Sequence, residues 1–153
     1  MRLLVTTALA ALTLAAPLSA QSATPDLSAT MPLAGRWAWT PTAGGSEATF
    51  LDSAGRAQLW LSCLRGARVV TVAKPASGAA PLLMLWSTSA SRNLLASYNP
   101  ATARITAQLA STDTLLDALA FSRGRIGVGV SGTAPLVAPA WPEIARIVED
   151  CRA

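Results

Sequence analysis

The side chains able to do chemistry are few, and their spacing decides how far each can go. Histidine is absent from all 153 residues, which removes a Ser-His-Asp or Cys-His site and the usual zinc ligand. Lys74 is the only lysine, and with Ser77 three positions on it supplies the residue types of a Ser-Lys pair. It stands beside Pro75 in a loop, where a solvated lysine is the commoner outcome. Asp113 and Asp117 lie one helical turn apart, and Glu149 and Asp150 sit on the outer side of a final helix. Helix-end charge accounts for the first pair and solvation for the second. Asp26, Glu47, Asp52 and Glu143 show no spacing that defines a glycosidase pair. Gly127-Val128-Gly129-Val130-Ser131-Gly132 satisfies GxGxxG, but a dinucleotide site needs those glycines between a strand and a helix. Here the first two fall inside a strand and no helix follows directly. No catalytic residue, metal site or cofactor is therefore expected.

The two cysteines, Cys63 and Cys151, carry more information. The chain opens with Met1-Arg2, an apolar run from Leu3 to Ala16, and Pro17-Leu18-Ser19-Ala20. That order is an export signal over residues 1–20 with a cut before Gln21. The run is short for a membrane span, polar residues follow at once, and no cysteine marks a lipid anchor. Two cysteines in an exported chain most often form one disulfide. Neither has a CxxC partner or a histidine that would make it a reactive thiol.

The elements around them agree. Arg56-Ala57-Gln58-Leu59-Trp60-Leu61-Ser62-Cys63 alternates, with Ala57, Leu59, Leu61 and Cys63 on an apolar face and Trp60 on the other. Ile144, Ile147, Val148 and Cys151 form one stripe of a helix that begins near Pro142. Both cysteines thus lie on packing faces, and a bridge between them would pin the last helix across a central strand.

Residues 21–32 read as a flexible leader and 33–153 as one domain. Strands are expected at Leu33–Thr40, Glu47–Leu51, Arg56–Cys63, Ala67–Ala73, Leu82–Ser87, Arg92–Tyr98, Ala103–Leu109 and Arg125–Ser131. Gly132–Pro139 reads as a loop. A helix capped by Ser111 or Thr112 carries Leu115, Leu116, Leu119 and Ala120. The expected fold is α+β and mainly β: an antiparallel meander, sandwich or partly open barrel, with two helices in the C-terminal third and the last one disulfide-linked. The two glycines of the Arg125–Ser131 strand predict something packed close against one face.

The formal charge is +4, or +3 once Arg2 leaves with the signal, and the arginines never form a run. This points away from nucleic acid and leaves an envelope protein or an anionic glycan as the expected partner. Nothing predicts more than a monomer or weak oligomer, in the periplasm or secreted. Tryptophan supplies five of the eight aromatic residues. An outward Trp60, with Arg68 on the neighbouring strand, is the candidate binding surface; the alternative is a tryptophan packed under a loop or helix.

Two resemblances follow from these features. From Ser46 to Cys151, the strand ending in Cys63, Trp86-Ser87, the helix Leu115–Phe121, the strand ending in Ser131-Gly132 and the final helix ending in Cys151 resemble small periplasmic accessory proteins of type VI secretion and the invasion-associated locus B group. This implies an exported, non-enzymatic accessory role. Leu33-Ala34-Gly35-Arg36-Trp37 resembles the opening strand of secreted metalloprotease inhibitors of small β-barrel type and the GxW start of lipocalins. That implies either an inhibitor using residues 21–32 as an inserting arm or a carrier of an apolar ligand.

Overall fold

A computed structural model describes residues 25–153. The export signal over 1–20, its cut before Gln21 and the first residues of the leader lie outside the described residues. The strands form two antiparallel sheets. The larger contains β1 (Gly35–Thr42), β2 (Gly45–Asp52), β3 (Ala57–Leu64), β4 (Val69–Pro75), β7 (Ser97–Asn99) and β8 (Arg104–Ala110), in the order β1-β2-β3-β4-β8-β7. The smaller contains β5 (Leu82–Trp86), β6 (Ser91–Leu95), β9 (Ile126–Val130) and β10 (Leu136–Ala138), in the order β10-β9-β5-β6. Two helices, α1 (Thr114–Ala120) and α2 (Pro142–Arg152), complete the domain.

Alternation along the larger sheet sorts its residues into a dry and a wet face. Trp37, Phe50 and Leu59 align across β1, β2 and β3. Leu61, Val72 and Ala107 align across β3, β4 and β8, as do Cys63, Val70 and Leu109. All are buried and share one core with Leu83, Leu85, Ile126 and Val128 of the smaller sheet. Ile144, Ile147, Val148 and Cys151 of α2 lie in the same core, and α2 packs on β2, β3 and β4. The mainly β fold, its two antiparallel sheets and its two C-terminal helices thus follow the hydrophobic pattern.

The bridge between Cys63 and Cys151 is formed, with the two Cα atoms 5.4 Å apart and a sequence separation of 88. Polar tethers hold the same end of α2. Arg152 donates to Ser111 O (2.8 Å) and pairs with Asp117 (2.6 Å), while Arg65 donates to Asp150 O (3.2 Å).

Four details differ from the sequence expectation. The segment Arg92–Tyr98 is not one strand. It bends at Ala96, whose N–H donates to Pro81 O (3.0 Å), so β6 joins the smaller sheet and β7 the larger. The cap of α1 is Asp113, which is extended and accepts from Leu115 N (2.9 Å), in place of Ser111 or Thr112. The loop Gly132–Pro139 contains β10, which pairs with β9. The leader is docked at Leu27, which is buried with Met84, Trp86 and Val137 against the smaller sheet. A Cβ at Gly127 would collide with Leu27 Cδ1, which identifies what packs against that glycine face.

Candidate functional site

The structure does not bring Trp60 and Arg68 together. Trp60 is opposite Thr49 and Ala73 on the outer face of the larger sheet. Arg68 closes a 3-10 turn beyond the far end of β4, with φ of +52°, and donates to Arg152 O (3.0 Å). The five residues from Ala73 to Arg68 separate them by roughly 16 Å of strand. Trp60 is also not an open platform. It is 9% exposed, with the Arg104 guanidinium 3.5 Å above its ring centroid. That stack forms because β8 pairs with β4 and places Arg104 diagonally across Ala73, a neighbour that only the strand order reveals. Trp39 is covered in the same way by Arg146 of α2, at 3.4 Å.

Cation–π stacks of this kind contribute about 0.5–1 kcal/mol when partly exposed. Replacing Arg104 with Ala is therefore expected to cost no more than about 1 kcal/mol while raising acrylamide quenching of tryptophan emission. Quenching equal to that of wild type would show that other neighbours cover Trp60.

The remaining polar candidates are held in structural roles. Lys74 Nζ donates to Pro75 O (3.2 Å) and not to Ser77, although both line an open cleft of about 540 Å³ with Ser131 and Thr133. Burial lowers the Lys74 pKa below its ordinary value. Asp113 caps α1 and pairs with Arg92, and Asp117 pairs with Arg152. Glu47 accepts from Ser62 (2.8 Å) across the strand pair. Gly127 and Gly129 lie within β9, so the GxGxxG segment presents no phosphate-binding turn. Among the described residues, no three carboxylate or cysteine side chains gather closely enough to hold a metal ion.

Asp52 is the most completely coordinated carboxylate. It is 6% exposed and accepts from the backbone N–H groups of Ala54 (3.0 Å) and Arg56 (2.9 Å), Arg56 Nε (2.9 Å) and Gln58 Nε2 (2.9 Å). The Arg56 backbone bond leads the causes that depress its pKa below the ordinary aspartate value. A depressed folded pKa means that the stabilisation is fully present above the unfolded value, near pH 4, and is lost as pH falls through the folded one. The stability gap between wild type and Asp52→Asn is thus expected to be widest near neutrality and to shrink below about pH 4. Denaturant titrations at both pH values test this; a gap independent of pH would remove the carboxylate from the account.

The surface feature that sequence reading missed is an apolar rim assembled from distant segments. Met31 is 82% exposed, Phe121 79% and Trp141 41%, with Leu33 close by in sequence to Met31. Hydrogen bonds draw their segments together. Arg125 Nη1 donates to Thr30 O (2.7 Å), Ala140 N to Gly124 O (3.3 Å) and Leu33 N to Val137 O (2.7 Å). The turn from Phe121 to Arg125 is stitched to the β5–β6 loop: Thr88 N donates to Ser122 Oγ and Arg123 N to Thr88 Oγ1, both at 3.0 Å. The exposed apolar side chains are accompanied by Arg123 and Arg125 and by Asp26 and Glu143, none of which is in an ion pair among the described residues. Comparison of the chain with protein-family models, with curated proteins and with solved structures finds no match.

Proposed function

We propose that this chain is an exported, non-catalytic binding or accessory module of the bacterial envelope, working in the periplasm or outside the cell. The observation that carries the reading is the Cys63–Cys151 bridge, which suits an oxidising compartment. The opening segment of the chain, with its signal-like order, supports the same compartment. The contact surface proposed is the rim of Met31, Phe121 and Trp141, in place of Trp60 with Arg68. No helix among the described residues is long and apolar enough to cross a membrane, so the association is proposed as peripheral.

The alternative of a protease inhibitor with an inserting arm is weakened by a specific contact. Leu27, within the arm, is already buried against Met84, Trp86 and Val137 of its own domain. A carrier of an apolar ligand would need interior space where Phe50, Leu59, Leu85 and Ile105 are fully buried and mutually packed.

The test is expression of the full chain in a Gram-negative host, followed by fractionation and mass spectrometry. The expected product is cut before Gln21, resists thiol alkylation without reductant, and associates with envelope fractions less strongly as Phe121→Ser. A cytoplasmic, uncut product with two free thiols would overturn the reading.

A further inference from the structure

We propose that the mouth between the two sheets, at the Lys74 end of β4, binds a short-chain monocarboxylate. The register places Lys74 there. It lies opposite the buried Ile105 across the β4–β8 pair and follows Val70 and Val72 at every second position, so its side chain leaves the sheet on the core face. Loop 76–81 then carries the chain across to β5 of the smaller sheet, where the neighbouring strand β9 ends at Val130. Lys74, Ser77, Ala103, Val130 and Ser131 all line the open cleft of about 540 Å³ that results. Met31, Phe121 and Trp141 take no part in it.

The first support is a charge that the fold does not use. Alternation asks for an apolar residue at position 74, where a leucine would extend the core. A half-buried ammonium there loses hydration. No carboxylate pairs with Lys74 or lines the cleft among the described residues. Burial lowers its pKa, and no neighbouring acid opposes that shift. Arg104, opposite Pro75, is turned to the outer face, where it stacks on Trp60. Lys74 is thus the one charged side chain lining the cleft. A single N–H of the ammonium goes to Pro75 O (3.2 Å), which leaves the others for a ligand. A break in the hydrophobic pattern that the fold does not compensate is the kind expected at a functional site.

The lining sets the class of ligand. One ammonium matches one negative charge, and Ser77 and Ser131 add hydroxyl groups beside it. The rest of the wall is mainly small and apolar, which suits a short alkyl body, and it offers no aromatic ring for a sugar or base to stack on. One side of the cleft is also pre-set. Ala103 holds φ of +49°, a conformation that alanine rarely adopts. Its carbonyl accepts Ala76 N (3.0 Å), which fixes the start of the loop that walls the cleft. Filling a cleft held in this way costs little ordering of the chain.

Because Lys74 is the only lysine, the chain from residue 21 onward, isotopically labelled at lysine Cε, gives one side-chain NMR signal, and it comes from the cleft. Titration with sodium hexanoate at constant ionic strength is expected to shift that signal saturably, with half-saturation at about millimolar concentration. Butyrate and then acetate should each bind about fourfold more weakly than the acid two CH₂ groups longer, the effect of half-burying those groups. Hexanol, which lacks the charge, and inorganic phosphate, which lacks the apolar body, should each bind about tenfold more weakly than hexanoate. Lys74→Met keeps the apolar stem and removes the charge. It should melt no lower than the wild type and lose about tenfold in hexanoate affinity, read by saturation-transfer NMR on the ligand. No saturable shift with hexanoate, phosphate or hexanol binding as tightly as hexanoate, or undiminished binding by Lys74→Met would each overturn the proposal. Should Lys74→Met fail to fold, the wild-type series with the five probes decides alone.

Discussion

Removing the Cys63–Cys151 bridge should lower stability by roughly 4–5 kcal/mol, the chain-entropy value for a loop of this length. The Cys63→Ala/Cys151→Ala double variant, or the reduced wild type, is expected to melt more than about 10 °C below the oxidised protein. The mechanism makes a second, sharper expectation. A bridge that acts on the unfolded chain keeps it compact, so the denaturant slope m should rise when the bridge is lost. The native fold should nevertheless persist at room temperature. The end of α2 is still held by Arg152 on Ser111 and Asp117 and by Arg65 on Asp150, and Ile144, Ile147 and Val148 remain buried. Near-UV circular dichroism before heating would read this directly. A variant with an unchanged melting temperature and unchanged m would show that the bridge constrains nothing. A variant with no native signal at all would show instead that the polar tethers are ineffective without it.

The same pair of residues shows what a sequence makes legible. Cys63 ends a strand of strict alternation and Cys151 ends a helical stripe, so each residue's facing is written in its own neighbours. Trp60 was legible in the same sense: alternation places it opposite Leu59 and Leu61, and the structure agrees. Its cover was not legible. Arg104 reaches Trp60 only because β8 pairs with β4 across a loop, two strands of the smaller sheet (β5 and β6) and the short edge strand β7. Leu27 escaped for a related reason. A single leucine in a small, polar stretch carries no periodicity, and it is recognised as docked only once Gly127 is seen to leave room for it. The break at Ala96 was hidden because Arg92–Tyr98 carries no glycine or proline; the chain changes sheets there, where Ala96 N donates to Pro81 O. The apolar rim combines all these difficulties. Met31, Phe121 and Trp141 each look unremarkable in their own segments, and only the tertiary bonds from Arg125 and Ala140 bring those segments together.

What joins that rim to the core is Trp37, and its replacement is the second large effect expected. The ring is buried beside Phe50, with centroids 5.4 Å apart, while its Nε1 donates to Pro139 O at 2.8 Å. One side chain thereby closes the seam between β1 and the segment leading from β10 into Trp141 and α2. Trp37→Ala removes both functions and should cost about 3–5 kcal/mol, the usual range for emptying a large aromatic site. Trp37→Phe keeps most of the apolar contact and loses the donor. Its cost should be nearer 1–3 kcal/mol, since a carbonyl oxygen is left without its partner. The two variants separate packing from hydrogen bonding in denaturant titrations. Trp37→Phe should also raise hydrogen exchange in the stretch from Val137 to Trp141 more than in β3 and β4, because the lost bond is local to that seam. Equal losses of stability in the two variants would mean that the bond to Pro139, and not the buried ring, holds the seam shut.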